Sequence, residues 1–79
     1  MITKKELIIK LNEAAITEEN AVIIYTQHLK TILPWSGLNI EDQNEIRNLL
    51  DTLANDSKVH KKTFMLLKEK VEKDKRDVF

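Results

Sequence analysis

The sequence predicts an all-α protein, an antiparallel two-helix hairpin that dimerises into a four-helix bundle. Three observations predict it. The only Gly and the only Pro of the 79 residues fall within Leu33-Pro34-Trp35-Ser36-Gly37-Leu38-Asn39, so the chain has a single break. On either side of that break, apolar residues recur every three or four positions, the period of one helix face. Their number exceeds what one facing helix can cover.

The first helix opens on Thr3-Lys4-Lys5-Glu6, which matches a capping box, and is predicted over about residues 4–33. The turn occupies 34–39. Asn39 is a good N-cap, with Glu41 and Asp42 in the turn that follows, so the second helix is predicted over about 40–75. At about 1.5 Å per residue the arms are about 45 and 54 Å long, and so short a link permits only an antiparallel return. The 79 residues therefore form a single helical hairpin domain.

Helical phase picks out the faces expected to meet. On the first helix the stripe is Leu7, Leu11, Ala14, Ala15, Glu18, Val22, Tyr25, Leu29 and Ile32; on the second it is Ile46, Leu49, Leu53, Asp56, His60, Phe64, Leu67 and Val71, with Leu50 and Ser57 at its edge. Ile8, Ile9, Ile16, Ile23, Ile24, Met65 and Leu66 lie off these stripes and widen the apolar surface. A chain this short needs reinforcement from disulfides, metal or self-association. Cysteine is absent, which excludes disulfides and thiolate sites and leaves metal or self-association, and the surplus apolar surface makes a homodimer or higher homo-oligomer the expected partner state.

Composition narrows the function classes. Formal net charge is zero, which argues against a nucleic-acid or membrane-surface partner. Residues 34–57 carry Glu41, Asp42, Glu45, Asp51 and Asp56 against Arg47 alone, while residues 58–79 carry eight Lys or Arg against four acids. Acids near a helix start and bases near its end complement the helix dipole, and that reading is preferred to a binding patch. No signal peptide or spanning segment is read, and a Cys-free, Lys-rich chain fits the cytoplasm. There is no phosphate loop and no nucleophile motif.

Three ionisable residues interrupt the stripes near their middles. Glu18 lies at the centre of the first, and Asp56 and His60, four residues apart, lie on the second. Such groups are costly in a core unless paired or bound to metal. Counting from the turn puts Glu18 level with Asp56, with His60 one turn beyond. A two-fold dimer would double the set to four carboxylates and two imidazoles, the inventory of a dinuclear carboxylate-bridged metal site.

The segment Ile16-Thr17-Glu18-Glu19-Asn20-Ala21-Val22-Ile23-Ile24-Tyr25 resembles the first metal helix of the ferritin-like superfamily, an inward Glu followed by a Tyr seven residues on. Leu53-Ala54-Asn55-Asp56-Ser57-Lys58-Val59-His60 resembles the Glu-Glu-x-x-His helix of rubrerythrins. With two helices only, the architecture looks most like the encapsulated-ferritin type, whose hairpins dimerise around a di-iron site. The resemblance implies Glu18 as bridging carboxylate, His60 as imidazole ligand, and iron or another divalent transition metal as cofactor, with ferrous oxidation or peroxide reduction as the chemistry. The family's second Glu falls on Ser57, a poor iron ligand. The site has therefore either shifted to Asp56 and His60 or lost metal altogether, leaving a Glu–His pair that fixes register.

Other residues carry weaker expectations. Glu19 is either an outer ligand or, preferably, a solvated ion-pair partner. Tyr25 either bonds a ligating carboxylate or packs with its hydroxyl satisfied locally. His28 lies near the turn, ten residues from Glu18, at a surface or interface. Trp35 is expected to cap the open end of the bundle. The interleaved Glu69, Glu72, Asp74 and Asp77 make the lysine-rich end a solvated helix end. Whether the chain is an enzyme stays open. The competing function is a metal-free helical scaffold or protein interaction module.

Overall fold

A computed structural model describes residues 1–79 as two antiparallel helical arms. The first arm is α1 (Lys4–Ile23), a π-helical turn (Ile24–Leu29), α2 (Lys30–Ile32) and a 3-10 turn (Leu33–Trp35); the second is one helix, α3 (Ile40–Lys73). The Thr3 hydroxyl oxygen accepts from the Glu6 N–H at 3.1 Å, and Asn39 Oδ1 accepts from the Asp42 N–H at 2.8 Å, so both arms start on side-chain caps. Between them Gly37 takes φ +81°, a conformation other residues adopt only with strain.

The two arms pack along a narrow seam. The five buried residues are Ala15, Leu33, Leu50, Ala54 and Ser57. On α3 the inward row is therefore Leu50, Ala54, Ser57 and, half-buried beyond them, Lys61, Phe64, Lys68 and Val71. This corrects the expected stripe. Leu49, Leu53, Asp56, His60 and Leu67 are exposed, because the face that meets α1 is rotated by about one residue. Small side chains explain the rotation: Ala54 and Ser57 on the buried row of α3 let the first arm approach closely, and the bulkier leucines are turned to the flank.

The π turn accounts for a second correction, at Ile32. One extra residue in the turn delays the phase by a position, so Leu33 enters the seam at 6 % exposure while Ile32 is left 60 % exposed. Thr26 supports the widened turn, its hydroxyl donating to the Val22 carbonyl at 2.7 Å.

Helix α3 stops at Lys73, two residues before the expected end, and the tail then runs back beside the N-terminus. Phe79 N–H donates to the Ile2 carbonyl (2.8 Å), Ile2 N–H to the Phe79 carbonyl (3.1 Å) and Lys4 N–H to the Asp77 carbonyl (2.8 Å), forming a one-rung antiparallel bridge between Thr3 and Val78. This clasp ties the open end of the hairpin. Trp35, at the other end, is 88 % exposed.

The resulting body is a rod of 56 × 17 × 15 Å. Its radius of gyration, 17.5 Å, compares with about 12 Å for a compact domain of this length. No helix is long and apolar enough to cross a membrane.

Candidate functional site

The two lateral faces of the rod differ in chemistry. One is closed by ion pairs between the arms, Lys30 with Asp51 and Lys61 Nζ with Glu19 Oε1 at 3.0 Å. The other has a single cross-arm pair, His60 Nδ1 with Glu18 Oε1 at 3.5 Å. Around that pair, Thr17, Ala21 and Tyr25 of the first arm and Leu53, Asp56 and Ser57 of α3 line a shallow cleft of about 310 Å³.

Local structure explains who reaches this cleft. Glu18 sits between Ala15 and Val22 on the inward row of α1, so its side chain leaves the seam sideways and keeps 22 % exposure. The His60 side chain stands on the flank of α3 and is 61 % exposed. The pair is therefore open to water rather than enclosed, and the 3.5 Å separation is an ion-pair distance available when the imidazole is protonated.

Of the residues singled out from sequence, Glu18 and His60 are brought together directly. Glu18 meets the ring of His60 rather than Asp56; the first arm continues to Trp35 before residues 36–39 cross over, which moves the level of contact along α3. Asp56 lines the same cleft, one turn nearer the hairpin turn. Ser57 is buried in the seam. Glu19 faces the opposite side in its pair with Lys61, and His28 is exposed on the surface. Tyr25 is half-buried at the cleft wall, within the π turn.

The donor set of one chain is small. No group of three or more His, Asp or Glu side chains converges to hold a metal ion. Glu18 and His60 give one carboxylate and one imidazole, fewer than the four or so ligands a transition ion takes. A single hairpin does not fit the metal the resemblance implies; two related hairpins offer twice the donors.

Two features escaped sequence reasoning. An apolar groove of about 410 Å³ lies at the turn end, between Leu29, Ile32, Leu33, Trp35, Ile46 and Leu50. Its signal was the run of apolar residues Leu29, Ile32, Leu33 and Trp35 at the turn, of which the π turn sends Leu33 into the seam and leaves Ile32 on the surface. The second is the unequal charge of the flanks, legible in the positions of Glu19, Lys30, Asp51 and Lys61 once the seam is known. Comparison with protein-family models, with curated proteins and with solved structures found no match to this chain.

Proposed function

We propose that this chain works as one subunit of a homo-oligomeric helical bundle. The observation that carries the reading is its excess surface. The hairpin exposes 6009 Å², whereas a compact monomer of 9.2 kDa exposes about 4,900 Å². The excess, about 1,100 Å², is somewhat more than one side of a standard protein interface. Sixteen large apolar residues are exposed, and five residues in all are buried, too few for a hairpin to stand alone. Light scattering across a concentration series tests this. A dimer or larger species at micromolar concentration is expected; a folded monomer at 100 times that concentration would refute it.

A second reading is favoured by one specific contact, the approach of Glu18 to His60 between the arms. In it the assembled bundle binds a divalent transition metal, such as iron, through Glu18 and His60 of two copies with Asp56 assisting, in the manner of the ferritin-like proteins its two segments resemble. When bound, the metal would supply redox or Lewis-acid chemistry. The chain's own residues would hold it, orient it and limit access of water. Elemental analysis after aerobic iron loading tests this reading separately: bound metal lost in Glu18→Ala and His60→Ala but kept in Glu19→Ala supports it, and no metal in the parent protein ends it. The bundle then stands as a metal-free scaffold.

A further inference from the structure

The exposed flank of α3 carries a pattern that the seam does not use. Leu49, Leu53, Asp56, His60, Thr63 and Leu67 follow one another at alternating spacings of four and three, so they form a second heptad stripe beside the seam. All six are exposed. They lie on the face without the Lys30–Asp51 and Glu19–Lys61 pairs, and Leu53 and His60 border the cleft described above.

The stripe is symmetric about the level of Lys58. Leu49 and Leu67 each lie nine positions from it, Leu53 and Thr63 five, Asp56 and His60 two. Laid antiparallel against itself with a two-fold axis at that height, it sets leucine against leucine at its ends and acid against imidazole near its centre. The charge gradient of α3 agrees with this direction. Exposed Glu41, Asp42 and Glu45 mark its start, and at its end Lys68, Lys70 and Lys73 outnumber the interleaved Glu69 and Glu72, so an antiparallel copy brings the acidic start of each α3 to the net-basic end of the other. A parallel copy would set the acidic starts of the two helices against each other.

We infer that a second copy of this chain docks on this flank, α3 against α3 in antiparallel register, with Leu49 beside the partner's Leu67 and Asp56 beside the partner's His60. The inference rests on the self-association reading and adds the face, direction and register to it. It also gives the surplus area an occupant: the contact covers the one lateral face not closed by oppositely charged lysines and acids. Asp56, which forms no three-ligand group within its own chain, reaches imidazole and Glu18 from across the axis.

The chain has no cysteine, so introduced thiols report the register directly. The double variant Leu49→Cys/Leu67→Cys and each single variant are oxidised under mild conditions and run on non-reducing gels. Within one helix the two thiols are about 27 Å apart and cannot join. The double variant is expected to form covalent dimers at least tenfold faster than either single. Dimers of Leu49→Cys alone, formed as fast, would mean a parallel contact and overturn the inference. So would no cross-linking of the double variant in a sample that light scattering shows to be oligomeric, in which case self-association stands and this face does not. As an independent measurement, Leu53→Asp, on an exposed position that a monomer tolerates, is expected to raise the dissociation constant at least 100-fold, while Ile16→Asp on the back of α1 leaves it within threefold. Equal effects of the two would also overturn the face assignment, and a parent chain monomeric at every concentration would end both readings together.

Discussion

Glu18 of α1 and His60 of α3 meet at 3.5 Å across the two arms, on the one lateral face that no lysine closes. Glu18 occupies an inward position of α1, yet its carboxylate has one imidazole beside it and no hydrogen bond to a backbone group. A group so placed gains little for the metal-free fold. Replacing Glu18 by Leu fills the seam between Ala15 and Val22 with apolar volume and is expected to raise the urea-unfolding free energy of metal-free protein by about 1 kcal/mol. A loss of that size instead would mean that the carboxylate supports the fold, against the view that it is kept for a ligand or a partner.

Close approach at Ala15, Ala54 and Ser57 sets the separation of the arms. Ala54 is 2 % exposed, so there is no room for added atoms on its side of the seam. Ala54→Leu is expected to cost about 1–3 kcal/mol, as overpacked cores do, whereas Leu53→Ala one position away leaves the seam intact and costs less. Thermal unfolding of the two variants followed by circular dichroism at equal concentration separates the seam from the flank.

These two positions also show what the sequence made legible. The helices, caps and turn follow from Thr3, Asn39, Gly37 and the period of the apolar residues, all local signals. Their rotation is not local. Leu49 and Leu53 outweigh Ala54 and Ser57 on any scale of hydrophobicity, so a reading by apolar content turns α3 toward the leucines, while close backbone approach selects the small residues. The pairing of Glu18 with His60 was legible as a coincidence of height, one turn in error because the 3-10 extension through Trp35 lengthens the closed end. Neither the π turn nor the terminal clasp has a period-based signature.

The π turn is an added residue held in an otherwise α-helical arm, and its removal should be tolerated. Deleting exposed Gln27 closes Ile24–Leu29 to ordinary α-helix and keeps Leu29 and Leu33 on the seam. Deleting exposed Glu13 instead turns Leu7 and Leu11 away from α3 by about 100°. The expected result is a melting temperature for the first deletion within a few degrees of the parent and a large drop for the second. Equal losses would show that the π turn itself is required.

The clasp at the open end has its own pH signature. Arg76 donates to Asp74 from its side chain, Nε at 3.1 Å and Nη2 at 3.0 Å, and from its backbone N–H at 2.8 Å, and these bonds lower the Asp74 carboxyl from 3.8 to about 2. The reciprocal bond raises Arg76 further above its usual range, so it stays charged throughout. Because the folded carboxyl is the stronger acid, its contribution to holding the tail is complete above about pH 4 and is lost as the pH falls toward 2. The Arg76 guanidinium also lies 4.6 Å from the centre of the Phe79 ring, so losing the carboxylate frees the group that steadies the last residue of the bridge. NMR titration of the Asp74 carboxyl carbon should give a midpoint near 2, with Phe79 and Ile2 amide exchange accelerating over the same interval. In Arg76→Ala the midpoint should return toward that of an ordinary aspartate, and the Phe79 amide should already exchange quickly at neutral pH.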